Sequence, residues 1–454
     1  MTVVEELAAF VARASYQDLS PEAVQQLKIR VLDSLGCAIG ALGSGPVRLL
    51  WQHTADFGGR KLCTLVGGGR SAPDRAVLYN SALVRYLDFN DSYLARGETC
   101  HPSDNLAAVL AACQYAAGNG KDLLTALAVA YQVQTRLSDV APVRARGFDH
   151  TTQGSYAVAA GVSKALGLDV ERTAHALAIS GTAFNALRVT RTGALSHWKG
   201  LAYPNTAACC TQAAFLAMRG ITGPKEVFEG NKGFMDTISG PFQLDWSRED
   251  LERVNHTIVK KYNAEVHSQT AIDAVMELKA SPGFGPSDVA RVELETFDVA
   301  YNIIGGGEEG SKQVVRTKEE ADHSLPYILA AAILDGEVMP EQYLPDRIQR
   351  SDVQDLLRKV IVRPNESYSR RFPSEMPSLV KVFLKDGNVL TKEKSDYEGF
   401  RSRPVPWSAA VAKFERLSRA HAPAFLLRHI IEAVSSLESI QVEELARLLA
   451  RVKE

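Results

Sequence analysis

Apolar residues recur every three to four positions through most of the first 280 or so residues, so this stretch reads as helix after helix. Ser20-Pro21-Glu22 is a start signal: a Ser cap, Pro at the first helical position and an acid in the first turn. An apolar-periodic run follows to about Ile39, and similar runs cover residues 74–94, 103–117, 123–136, 155–166 and 206–218. Glycine closes several of them, as in Ala117-Gly118-Asn119-Gly120 and Arg219-Gly220. Their Ala content lets helices approach closely, and their Leu and Val supply the core of a thick bundle.

The period changes near residue 280. Arg291 to Phe297 alternates polar and apolar residues, as a half-buried strand does, and Lys359 to Arg363 reads as another. Leu379 to Lys385 and Asn388 to Lys394 flank Asp386-Gly387, a strong hairpin signal. A helical run, Ser324 to Leu334, sits among these strands, and after Pro406-Trp407-Ser408 the pattern is helical again. The expected fold is mainly α: a large all-helical domain formed by both chain ends, residues 1–264 and 403–454, with a smaller α+β lid domain inserted at 265–402. No internal repeat or low-complexity tract interrupts it.

Composition narrows the function. The chain has 454 residues, 46% of them hydrophobic, enough for two domains. Its 51 Lys+Arg against 53 Asp+Glu give a net charge of -2, without the basic footprint of a nucleic-acid binder. The first residues are acidic, unlike a secretory signal, and no apolar stretch would span a bilayer, so a cytoplasmic protein is expected. Cys37, Cys63, Cys100, Cys113, Cys209 and Cys210 form no CxxC pair and no zinc spacing, which speaks against a metal or iron–sulfur site.

Five polar clusters could carry chemistry. Tyr86 to Tyr93 contains Asp88 and Ser92, four apart and hence on one face of a helix, with Asp91 pointing elsewhere. His101 follows just ahead of a further helix, which Ser103 or Asp104 would cap and whose N-terminus would favour a carboxylate ligand. His150 lies in the loop Gly147 to Thr152, and Lys199, beside Trp198, enters a helix. Glu265 and His267 fall at the domain junction after Lys260-Lys261, without the spacing of a metal site. Asp322-His323-Ser324 precedes the lid helix, with Asp322 or Ser324 as its cap, whereas Gly305-Gly306-Gly307 reads as a plain loop. Each cluster also has a bland reading: a polar helix end, a packing histidine, a snorkelling lysine. Together they suit proton transfer beside bound carboxylates.

Leu87-Asp-Phe-Asn-Asp-Ser92, His101-Pro-Ser-Asp-Asn105, Trp198-Lys-Gly-Leu201, Ala264-Glu-Val-His-Ser-Gln-Thr270 and Ala321-Asp-His-Ser-Leu-Pro-Tyr327 resemble the MmgE/PrpD family almost end to end. That group contains 2-methylcitrate dehydratase, cis-aconitate decarboxylase and iminodisuccinate epimerase. The resemblance implies a homodimer working on a small polycarboxylate without metal or other cofactor, while the charge balance and apolar pattern lead us to expect no nucleic-acid or membrane partner. It implies pocket positions at Asp88, Ser92, His101, His150, Lys199 and Lys260, with Glu265, His267 and Tyr301 on the lid side. His101 and His150 would move protons and Asp88 would tune one imidazole, while Lys199 and Lys260 would neutralise carboxylates and Ser92 would donate a hydrogen bond. Glu265 matches the dehydratase form of its segment, where the decarboxylase has His. The expectation is therefore a hydro-lyase of 2-methylcitrate or a citrate-type acid. Epimerisation, isomerisation or decarboxylation of iminodisuccinate or aconitate is the alternative within enzymes, and a non-catalytic helical scaffold the alternative outside them. Asn263, where the family usually has Pro, and Asp396 to Pro404 depart from the family pattern.

Overall fold

Ser20 caps the helix Pro21–Gly40 as its sequence predicts, its Oγ accepting from the Ala23 amide at 3.1 Å. In this computed structural model, which describes residues 1–282 and 284–454, the chain is mainly helical and divides into two units. The larger comprises Met1–Thr190, Gly200–Thr257 and Pro406–Glu454, and the smaller comprises Arg191–Lys199 and Ile258–Val405. The smaller unit thus takes in Ile258–Ala264, ahead of the expected boundary. The backbone explains this: the Val259 amide donates to the Gly399 carbonyl at 2.9 Å and the Asn263 amide to Val338 at 2.9 Å.

In the larger unit, the helices Gly120–Val140 and Thr151–Ala165 are buried along nearly their whole lengths. Glycines let its elements touch. An added Cβ on Gly36 would lie 3.1 Å from the Phe414 backbone, and one on Gly40 would lie 3.1 Å from the Leu417 carbonyl, so the helix Trp407–Ser418 packs directly on Pro21–Gly40. Across that contact Lys413 reaches the buried Asp33 at 2.7 Å and the Phe89 carbonyl at 2.7 Å. Among the described residues no helix is long and apolar enough to cross a membrane.

The smaller unit is α+β. Strands β1 (Val289–Thr296), β2 (Val360–Pro364), β3 (Ser378–Leu384) and β4 (Val389–Lys394) form one sheet in the order β2-β1-β3-β4. β1 runs parallel to β2 and antiparallel to β3, and the parallel pair needs the helical crossover that lies between its strands. β3 and β4 are the expected hairpin, with Gly387 at φ +92° in a turn that an L side chain would strain. Burial alternates along β3, so one face of the sheet meets the core. Val292, Leu294, Val380 and Val382 pack there with Leu325, Ile328, Leu329 and Ile333 of the helix Leu325–Asp335. That helix is apolar all round, the pattern of a core helix, and Ser324 caps it through a 3.1 Å bond from the Tyr327 amide.

Two expectations about the helices fail. The run expected over 74–94 stops at Tyr86, and Asp88 adopts φ +55°, so Asp88 and Ser92 do not share a helix face. The helix expected from Ser103 begins at Leu106, after a 3-10 turn Pro102–Asn105, and neither Ser103 nor Asp104 caps it. Both side chains are instead bound by Asn90, whose Nδ2 donates to Ser103 Oγ at 2.9 Å and to Asp104 Oδ1 at 2.7 Å.

Candidate active site

In the larger unit the helix Pro73–Tyr86 delivers Arg85, and the turn that ends it delivers Asp88. Arg85 Nη1 donates to Asp88 Oδ1 at 2.7 Å and to Asn90 Oδ1 at 3.2 Å, and its Nε lies 3.6 Å from Asp104 Oδ2. All of these side chains are buried, so the ion pair replaces lost hydration and offsets the left-handed backbone of Asp88. Asp88 is therefore held by an arginine, not stacked one turn below Ser92.

Asp91, which the helical wheel directed elsewhere, clamps the next loop. Its Oδ1 accepts from the Ser103 amide at 3.0 Å, its Oδ2 accepts from the Tyr131 hydroxyl at 2.7 Å, and its carbonyl lies 2.9 Å from His101 Nδ1. Burial pushes the Asp91 carboxyl above its usual range, against the pull of Arg30 and of its donors. Ser92 Oγ is 3.0 Å from the same His101 nitrogen. A carbonyl can only accept, so His101 Nδ1 carries the hydrogen and, in the neutral ring, Nε2 carries the lone pair.

His150 ends the loop before the helix Thr151–Ala165. Its Nδ1 lies 3.1 Å from Asp149 Oδ1, and the other oxygen of Asp149 faces Arg188 at 3.7 Å. The His150 ring meets that of His101 edge to face at 5.4 Å and stacks on Tyr203 at 6.0 Å and 25°. Tyr203 is fixed in turn by its hydroxyl, 3.0 Å from Asn105 Oδ1. Ser92, His101 and His150 thus come together, with Asp88 joined to them through Arg85, Asn90 and Ser103.

The smaller unit carries the second group. Lys199 Nζ is 2.7 Å from Asp322 Oδ1 and 2.9 Å from His323 Nδ1, and Lys318 Nζ is 2.7 Å from Asp322 Oδ2. Burial alone would raise the Asp322 carboxyl, but Lys199 and Lys318 hold it well below its usual range. The Glu265 amide donates to the Asp322 carbonyl at 3.0 Å, which places Glu265 and His267 beside this cluster. Glu265 Oε1 is 2.8 Å from His267 Nδ1, and its Oε2 accepts the His267 amide at 2.8 Å. Burial opposes ionisation of Glu265 too, yet His267, with His323 and Lys260, holds its carboxyl at about 2. His267 Nε2 is buried without a hydrogen-bond partner among the described residues, and the ring packs against the stacked pair Phe297 and Phe372.

Lys260 is fully buried, whereas Lys261 is partly exposed and pairs with Asp273 at 2.7 Å. Tyr301 is half-buried at the start of the turn Tyr301–Gly305 and packs against Gly305 and Gly307. As for metals, each Asp322 oxygen already bears a lysine ammonium that a cation would have to displace.

Sequence reasoning missed Arg85, Asp91, Tyr131, Asp149 and Lys318. One signal was legible: Asp149-His150 and Asp322-His323 are both Asp-His pairs just ahead of a helix.

Comparison with known proteins finds two family models that the chain matches. The family model described as MmgE/PrpD N-terminal domain matches residues 5–247, and that described as MmgE/PrpD C-terminal domain matches residues 262–439. A cis-aconitate decarboxylase of Mus musculus is 26% identical over 99% of this chain and 93% of its own length. A mitochondrial 2-methylcitrate dehydratase of Yarrowia lipolytica is 26% identical over 95% of this chain and 86% of its own. The 2-methylcitrate dehydratase of Escherichia coli is 27% identical over 76% and 74%. These relatives are dehydratases and decarboxylases.

Proposed function

Because the chain belongs to the MmgE/PrpD family, we propose that it is a cofactor-independent hydro-lyase that removes water from a citrate-type tricarboxylate, 2-methylcitrate first. The observation that carries this reading is the His101–His150 pair: two buried rings in edge contact whose Nδ1 atoms face different partners. The Asp91 carbonyl fixes His101 with its lone pair on Nε2, the form of a base. The Asp149 carboxylate stabilises the charge that a proton brings to His150, the form of an acid. Such asymmetry divides an elimination between two rings.

His101 takes the proton from the carbon next to a carboxylate. The electron pair forms the double bond, and the hydroxyl leaves with a proton from His150 as water. His101 ends protonated and His150 neutral, and exchange with solvent restores both. Lys199 and Lys260 supply positive charge for the carboxylates and for the enolate-like charge that develops, and Ser92 donates a hydrogen bond. Glu265, taken up by His267, is the feature that favours dehydration over decarboxylation, since the decarboxylase segment has His there. The enzyme is proposed to act as a cytoplasmic homodimer.

The test is incubation of the purified protein with 2-methylcitrate, citrate and cis-aconitate, following ultraviolet absorbance of a new conjugated double bond and release of carbon dioxide. Absorbance gained from 2-methylcitrate or citrate supports the reading. Carbon dioxide from cis-aconitate, or no turnover of any of the three, overturns it.

A further inference from the structure

Asp322, His323 and Lys199 form a tight triangle whose sides are 2.7, 2.8 and 2.9 Å, the last between the two nitrogens. The site reading above uses Lys199 alone. A ring nitrogen carries either a hydrogen or a lone pair, so His323 Nδ1 cannot both donate to Asp322 and accept from Lys199. The charges decide between them. Asp322 is an anion with Lys199 on Oδ1 and Lys318 on Oδ2, and Oδ1 has a second lone pair directed at the ring. An Nδ1–H turns the approach to Asp322 into a charge-assisted bond. A bare Nδ1 would instead set a lone pair against a carboxylate oxygen at 2.8 Å in a buried place.

We propose that Asp322–His323 is a further acid–base pair of this enzyme, in which Asp322 fixes the ring as the Nδ1–H form, leaves the lone pair on Nε2, and positions Lys199 through the same oxygen. His323 is then an exchanging site: Nε2 accepts a proton and the Asp322 carboxylate balances the charge. Charged groups of the smaller unit near the pair include Lys199, Lys318 and Glu265. The pair repeats in the smaller unit what Asp149–His150 does in the larger. This rests on the proposed hydro-lyase for its kinetic consequence, while the state of the ring can be read without substrate.

Nitrogen-15 NMR of histidine-labelled full-length protein, with the His323 signals identified by their loss in His323→Asn, reports which ring nitrogen is protonated. A protonated Nδ1 with a bare Nε2 is expected near neutral pH. A bare Nδ1 overturns the assignment, whatever substrate the enzyme takes. In kinetics, His323→Gln and His323→Asn are both expected to lower kcat roughly a hundredfold or more with KM changed less, the size that one positioned proton-transfer group contributes. Asn places an amide near Nδ1 and would restore turnover if the ring only anchored Lys199. Wild-type kcat in His323→Asn therefore also overturns the proposal. If the wild-type protein turns over none of the tricarboxylates, the hydro-lyase reading fails, and the NMR result alone decides the pair. Should both variants fail to fold, the NMR arm moves to the wild-type protein with Lys199→Ala for identification, where the same two outcomes apply.

Discussion

The rings of His101 and His150 stand edge to face, 78° between planes, and each is braced at Nδ1 by an aspartate oxygen, the Asp91 carbonyl for His101 and the Asp149 carboxylate for His150. Replacing either ring removes the transferable proton without opening the larger unit. His101→Gln and His150→Gln should each lower kcat by about a hundred- to ten-thousand-fold and shift thermal unfolding little. Turnover equal to wild type in His101→Gln would reduce that residue to packing.

Gly154 tests the wall behind His150. An added Cβ there would lie 2.5 Å from Tyr203 Cε2, closer than carbon atoms approach, and Tyr203 is the ring that stacks on His150. Gly154→Ala should cost about 1–3 kcal/mol of stability, as overpacking does, and lower kcat more than it raises KM. Unchanged melting and kcat would show that Tyr203 moves aside freely.

Tyr131→Phe deletes the 2.7 Å bond to Asp91 Oδ2 and leaves that oxygen without this donor in a buried site. The expected loss is about 1–3 kcal/mol, measured by urea unfolding. A smaller fall in kcat should accompany it, because Asp91 is what holds His101. A stability equal to wild type would mean that the Asp91 clamp does not need the hydroxyl.

Glu265 gives a pH dependence with a definite sign. Its carboxyl titrates at about 2 when folded against an ordinary 4.5, so the unfolded chain binds more protons between those limits. Its contribution is complete above pH 4.5 and is lost as pH falls toward 2, a difference of roughly 3 kcal/mol at most. Asp33 and Asp91, raised by burial, contribute with the opposite sign, and comparison with Glu265→Gln removes them. The stability advantage of wild type over Glu265→Gln should shrink on acidification from about pH 6 to about pH 3. A gap independent of pH would contradict this.

Chelation is the simplest check of the chemistry. With lysines on both Asp322 oxygens, exhaustive dialysis against a chelator should leave turnover unchanged. Activity that disappears and returns with iron or zinc would require a different mechanism.

How far the sequence could be read follows from the range of each interaction. The strands and the β3–β4 hairpin are local patterns, and alternation with Asp-Gly was enough to find them. The end of the helix at Tyr86 was not local: Leu87 and Phe89 continue the apolar period, and what breaks it is the salt bridge that turns Asp88 toward Arg85. Ser103 and Asp104 have the composition of caps, but Asn90, more than ten residues earlier, takes both. Lys260 could be preferred over Lys261 only by register, and burial separates them: Lys260 is enclosed, whereas Lys261 stays partly exposed while reaching Asp273. The carboxylate behind each histidine needed no such distance, since Asp149 and Asp322 are chain neighbours of the rings they serve.

The contact of Gly36 and Gly40 with Phe414 and Leu417 has a consequence for how the protein is made. Synthesis runs from residue 1 onward, and the smaller unit is complete once Val405 has been added. At that moment the larger unit still lacks the helix Trp407–Ser418, and Asp33 still lacks Lys413. A ribosome pausing there holds a finished smaller unit while Gly36, Gly40 and the buried Asp33 still lack Phe414, Leu417 and Lys413, the kind of intermediate that aggregates or engages chaperones. The helix Trp407–Ser418 then brings these partners, so the rate of synthesis beyond Val405 sets how long Gly36, Gly40 and Asp33 wait for them.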